Sequence, residues 1–143
     1  MPDLTSKTYW NKRAVECGAN LECVLVDCRA DRHQKLVEGI LEPYKGLHVL
    51  DVACGYGRFS PTFKYYTGID FCPEMITLAK NTYPDKRFLE ATDIDETFDV
   101  IFAVISLSSL NITAQEFNEK WKDRAKVAVM VFEVDTFYIF PKI

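Results

Sequence analysis

The segment His48-Val49-Leu50-Asp51-Val52 runs without a break into Ala53-Cys54-Gly55-Tyr56-Gly57, and no other stretch constrains the fold as tightly. The apolar run is the signature of a buried strand. The two glycines after it form a turn where, with no Cβ in the way, the backbone admits a ligand closely. A strand feeding a glycine-rich turn is the opening unit of a parallel α/β sheet. The remainder of the chain alternates accordingly. A strand is predicted over 65–69, then a helix over 73–81 that Pro73 opens at its first position. A short strand over 87–90 and a nearly all-apolar strand over 99–105 follow. Thr113 and Glu116 have the spacing of a capping box, which starts a helix running to about Ala125. A last strand is predicted from Lys126 to Phe132. Ahead of the glycine turn, helices are predicted over 5–17, stopped by Gly18, and over 29–42, halted by Pro43. The fold class is α/β: a three-layer sandwich around a mostly parallel sheet of five to six strands. It forms one domain, with residues 1–45 as a helical cap and 46–143 as the core.

Composition narrows what such a domain binds. A net charge of −4 over 143 residues argues against a broad basic face for nucleic acid. The five cysteines (Cys17, Cys23, Cys28, Cys54 and Cys72) include no C-x-x-C pair, and only His33 and His48 could complete a metal site, so no metal is expected. Scattered thiols in odd number suit a cytoplasmic protein. The first residues have no signal-peptide pattern and no apolar run is long enough to span a membrane.

In open α/β sheets ligands bind beyond the carboxyl ends of the strands. Asp51, Gly55, Gly57, Asp70, Asp93 and Ala103 all fall at or just after such ends. A dinucleotide site would want G-x-G-x-x-G, but Ser60 takes the third position. Asp51 would also repel a pyrophosphate seated on the turn, and instead favours a ligand that is cationic there.

These residues carry a resemblance. Val49 through Gly57 resembles the glycine-rich first motif of class I S-adenosylmethionine (SAM)-dependent methyltransferases, which have a Rossmann-like fold. Gly68-Ile69-Asp70-Phe71 through Glu74-Met75-Ile76 is similar to their second motif, and the resemblance implies that Asp70 binds the ribose hydroxyls. Ala91-Thr92-Asp93-Ile94 resembles the third, with Asp93 facing the adenine amino group and Ile94 packing on the ring. Phe98 to Ala103 resembles the fourth strand, whose end holds the methionine part of the cofactor. Tyr9, Trp10 and Arg13 look like the N-terminal helix that lids the cofactor in one subgroup, although the two aromatics serve equally well as core residues. The cofactor-binding set implied is thus Tyr9, Trp10, Arg13, Asp51, Ala53, Cys54, Gly55, Gly57, Asp70, Phe71, Met75, Asp93, Ile94 and Ala103, for SAM and its product S-adenosylhomocysteine. Ala53 departs from the family, which most often has glycine there. The chain also lacks the full antiparallel hairpin that usually follows the fifth strand; only Phe137 to Phe140 remains of it.

The resemblance implies methyl transfer to an acceptor. No catalytic base stands out, which such a transfer tolerates because positioning supplies much of the acceleration. Neither the D/N-P-P-Y/F motif of amino-methylating nucleic-acid enzymes nor the Pro-Cys nucleophile of cytosine enzymes is present. With the acidic balance, these absences point to a small-molecule acceptor, met near Ser106, Ser108, Ser109, Asn111 and the stretch 133–137. His33 is expected at the surface. The competing view is a non-catalytic SAM-binding or protein-interaction module. The strand ending at Phe132 is apolar on both faces and needs a cover, either the C-terminal remnant or a second copy in a homodimer.

Overall fold

A computed structural model describes residues 3–17 and 30–142. The Gly18 stop, Cys23 and Cys28 lie outside them. The described chain starts with α1 (Lys7–Cys17) and α2 (Ala30–Leu41), and then enters the sheet at β1 (His48–Val52). It continues through β2 (Tyr65–Asp70), α3 (Pro73–Thr82), β3 (Arg87–Glu90), β4 (Phe98–Val104), α4 (Leu107–Leu110), α5 (Ala114–Trp121), β5 (Ala125–Phe132) and β6 (Phe137–Pro141). The six strands lie in the order β3-β2-β1-β4-β5-β6. All neighbours are parallel except β5 and β6, which pair antiparallel. This is the expected α/β sandwich with a mostly parallel sheet.

Strand periodicity divides the core into two layers. On β4, Val100, Phe102 and Val104 face one side, in one packed layer with Val37 and Leu41 of α2 and Ile76 and Ala79 of α3. Ile101 and Ala103 face the other, under Ala114, Phe117 and Trp121 of α5. Both faces of the central strands are therefore dry, and their near-continuous apolar sequences follow from that. The helix α5 begins as predicted. Thr113 Oγ1 accepts the Glu116 amide at 3.1 Å, and Glu116 Oε1 accepts the Thr113 amide at 3.0 Å. It ends four residues early, where a 3-10 turn over Lys122–Arg124 tightens the chain into β5.

Two other boundaries differ from expectation for local reasons. β4 ends at Val104 rather than 105, because Ile105 takes φ +50 and leaves the sheet. The short helix α4 was not foreseen; Asn111, in the left-handed region at φ +56, closes it. The cover required for β5 is supplied within the chain. β6 runs beside it from Phe132↔Phe137 to Ala128↔Pro141, and Phe137 packs edge-on against Phe132 with ring centroids 5.2 Å apart. Among the described residues, no helix is long and apolar enough to cross a membrane.

Candidate functional site

Strand order reverses between β1 and β4, since the chain steps outward from β1 to β3 and then returns to β4 on the other side. The loops after these two strands diverge and leave a crevice. A cavity of about 340 Å³ occupies that position, within the roughly 300–1,000 Å³ range of small-molecule sites.

Its floor is the turn after β1. Ala53, Gly55 and Gly57 all have positive φ, at +57, +57 and +80, so three left-handed residues coil the backbone between strand and cavity. The turn is anchored by Asp70 at the end of β2. Its Oδ2 accepts the Gly55 amide at 2.9 Å and its Oδ1 the Cys72 amide at 3.0 Å. Asp51 lies beside it, buried, and accepts a 2.6 Å hydrogen bond from the Tyr66 hydroxyl. Burial pushes the Asp51 carboxyl up to about 7, against the lowering pull of the Tyr66 hydrogen bond and the Arg58 charge. Burial likewise raises Asp70 to about 6, opposed by its backbone hydrogen bonds. The Cys54 thiol is pushed up by burial and by both carboxylates, which leaves it a packed, unreactive group. Two carboxylates held at the cost of desolvation form a floor that a cation would relieve.

The structure brings together many of the predicted residues. Asp51, Ala53, Cys54 and Gly55 line the cavity from the β1 side, Asp70, Phe71 and Met75 from the β2 side, and Trp10 of α1 adds to the wall. The Trp10 ring is fixed by donating its Nε1 hydrogen to the Leu4 carbonyl at 2.7 Å.

Six predicted residues do not line it. Asp93 faces outward, and Arg124 holds it at 2.6 Å and keeps its carboxyl below the usual range. Its neighbours Ala91 and Thr92 reach the cavity instead, and Ile94 belongs to the α5 layer. Ala103 is fully buried in that same layer, so parity gives the cavity wall to Val104, with Ile105 and Ser106 beyond it. Gly57 is a packing residue: a Cβ there would lie 2.5 Å from two carbons of the Phe88 ring. Tyr9 packs against Trp10 at 4.9 Å, one layer out. Arg13, on the same helix, also stays off the cavity wall, and its Nε and one terminal nitrogen are buried without a partner.

On the acceptor side, Ser106 and Ser109 line the cavity whereas Ser108, Asn111 and the stretch 133–137 do not. Both hydroxyls are engaged locally, Ser106 to the Val104 carbonyl and Ser109 to the Ser106 carbonyl, each at 2.9 Å. His33 is buried rather than at the surface, because Glu133, directly after β5, and Phe137, at the start of β6, lie against it. His33 Nε2 meets the Glu133 carbonyl at 2.8 Å and the ring packs edge-on to Phe137. Sequence reasoning missed Arg58 and Lys120, two cations on the cavity wall, and Tyr66 behind it. Arg58 follows Gly57 at a position the glycine pattern leaves open to any residue, and Lys120 lies on α5, which carries no site motif.

A profile of the methyltransferase-domain family matches residues 50–127, more than half the chain. Among solved structures, the magnesium protoporphyrin IX methyltransferase ChlM from Synechocystis PCC 6803 with bound SAM is similar, with a TM-score of 0.67 at 18% identity over 92% of this chain and 76% of that one. The DhpI–S-adenosylhomocysteine complex superposes with a TM-score of 0.64 at 18% identity, covering 97% of this chain and 78% of the other. An amino pentose methyltransferase from Micromonospora echinaspora with SAM bound gives a TM-score of 0.51 at 20% identity, over 71% and 49% of the two chains. No curated protein matches the chain by sequence. The strand order and the matched profile agree: the chain belongs to the methyltransferase-domain family and has the class I, Rossmann-like fold of these structures.

Proposed function

We propose that the cavity between β1 and β4 binds SAM and that the chain transfers its methyl group to a small-molecule acceptor in the cytoplasm. The observation that carries this is the pair of buried carboxylates, Asp51 and Asp70, flanking a glycine turn at the switch point. A ligand with phosphates would press negative charge against two carboxylates there; one with a sulfonium, an ammonium and a ribose finds complementary groups. SAM supplies an electrophilic methyl carbon on its sulfonium. The chain's residues do the rest. Asp70, already fixed by the Gly55 and Cys72 amides, offers its remaining lone pairs to ribose hydroxyls. Asp51 faces the cationic end, Met75 and Phe71 supply apolar wall, and the α1 segment with Trp10 acts as a lid that excludes water. The acceptor enters on the side of Ser106, Ser109 and Leu110, where position rather than proton transfer favours reaction.

One observation favours the alternative of a non-catalytic SAM-binding module: both serine hydroxyls on the acceptor side already donate to backbone carbonyls. Calorimetric titration with SAM, S-adenosylhomocysteine and NAD as control tests the cofactor. Micromolar binding of the first two alone supports the site, and no binding to either sinks it. A screen of small acceptors with radiolabelled SAM then separates enzyme from module.

A further inference from the structure

We infer that Tyr66 is a positioning residue of the cofactor site, fixing the Asp51 carboxylate at the cavity floor so that it receives a cationic group of the ligand. This rests on reading the cavity as a SAM site. Asp51 on β1 stands opposite Gly68 on β2, and Tyr66, two residues earlier on β2, projects on the same face as Gly68. A Cβ at residue 68 would lie 2.8 Å from the Tyr66 hydroxyl oxygen and 2.8 Å from the Cys54 sulfur. The phenol therefore passes over the space that Gly68 leaves open, and any side chain there would displace it. It ends 2.6 Å from Asp51 Oδ2.

The ring is held along its length, stacked near Phe63 at 6.3 Å and edge-on to Phe88 at 5.6 Å. Phenylalanine would fill this aromatic slot equally well. Burying a hydroxyl costs free energy unless it is bonded, and the bond here goes to Asp51, one of the two carboxylates at the cavity floor. The groups acting on Asp51 are few. Tyr66 donates a hydrogen bond, Arg58 attracts from the glycine loop, and Asp70 repels from the end of β2. The Cys54 thiol also approaches the phenol oxygen and is itself acted on by the Asp51 charge. From β4, the residue opposite Asp51 is Phe102, which carries no charge. Tyr66 is thus the contact that both orients Asp51 and favours its charged form.

The test is Tyr66→Phe, which removes one oxygen. Asp51 is titrated in the ligand-free protein by carboxyl carbon NMR, with its signal assigned through Asp51→Asn. The dissociation constants of SAM and of 5′-methylthioadenosine, which lacks the sulfonium and the amino-acid end, are measured from pH 6 to 9. A hydrogen bond to a charged group contributes about tenfold in proton affinity, so the Asp51 midpoint is expected to rise by about one pH unit. SAM binding at pH 7 should weaken by about three- to tenfold and recover toward pH 9, while methylthioadenosine binding stays put. An unmoved midpoint, or an equal loss for both ligands, overturns the proposal. If Tyr66→Phe does not fold, 3-fluorotyrosine at position 66, a stronger donor, must lower the midpoint; no change there also overturns it. Failure of the unmodified protein to bind SAM would sink the cofactor reading, while the NMR titration still decides whether Tyr66 controls Asp51.

Discussion

Asp70 Oδ2 accepts the Gly55 amide across 2.9 Å, and that bond ties the end of β2 to the turn that follows β1. The ligand-facing acid and the ligand-facing backbone are therefore one rigid unit. Asp70→Ala frees the Gly55 and Cys72 amides together and removes the proposed ribose acceptor. Hydrogen bonds to a charged group contribute about 1.5–3 kcal/mol, so SAM affinity is expected to fall by roughly 10- to 150-fold. Calorimetry on the variant checks this, and an unchanged dissociation constant would remove Asp70 from the site.

The same two carboxylates make stability depend on pH. Asp51 near 7 and Asp70 near 6 both stand above the ordinary value of 3.8. Between 3.8 and these values the folded chain holds protons that the unfolded chain has released. Their contribution is fully present below the unfolded value and is lost as pH rises through the folded ones, at up to about 1.4 kcal/mol per pH unit for each group. Urea unfolding of the ligand-free protein should therefore show declining stability from pH 5 to 7 and a flat profile from 7 to 8. Asp51→Asn should flatten much of the decline. A profile in the parent protein that rises over pH 5–7 would mean that the carboxylates are not buried as described.

How much of this was legible in the sequence depended on whether a feature was local. The strand at 48–52 was predicted with its observed bounds, because an apolar run leading into a glycine turn marks it, and the strand expected around 87–90 is present. The α5 start was legible because a capping box is written in four consecutive residues. The parity of β4 was not. Ala103 was expected in the site, but the end of the strand turns it under α5, and the left-handed Ile105 presents the following loop. His33 became a buried residue because the end of β5, a hundred residues away in sequence, lays the Glu133 carbonyl on it and the start of β6 adds the Phe137 ring. Asp93 looked like a ligand-facing acid, yet Arg124, thirty-one residues on, claims it. Tyr66 could have been found only by knowing that Gly68 faces Asp51, a register that no motif encodes.

The glycine turn offers a paired test of backbone strain. Ala53 has φ +57, a conformation that costs a residue with a Cβ about 1–2 kcal/mol. Ala53→Gly relieves that strain and gives back part of the gain as chain entropy, so a net stabilisation of about 0.5–1 kcal/mol is expected. Gly57→Ala goes the other way. It adds the same strain at φ +80 and drives a Cβ into the Phe88 ring at 2.5 Å, for a loss of about 2–4 kcal/mol. Denaturant midpoints of the two variants should move in opposite directions; a stabilising Gly57→Ala would mean that the turn is not coiled as described.

The last strand provides the remaining test. β6 satisfies the outer edge of β5 with a full antiparallel ladder, reinforced by the Glu133 amide to the Thr136 carbonyl at 2.9 Å and the Lys142 amide to the Val127 carbonyl at 2.8 Å. It also lays Phe137 against Phe132 and brings Phe140 to the α5 layer. Ending the chain after Asp135 would uncover β5, whose residues Ala128 to Phe132 are all buried. A bare edge of that composition seeks another strand. Loss of the two partly buried phenylalanines alone should cost about 3–5 kcal/mol. The truncated chain is therefore expected to self-associate in light scattering at tens of micromolar while the full chain does not. If both associate alike, the contact lies elsewhere, and an expected homodimer would form through the outer side of β6, where Tyr138 and Ile139 are exposed. If the truncated chain stays a monomer with an unchanged melting temperature, β6 is not the cover that β5 requires.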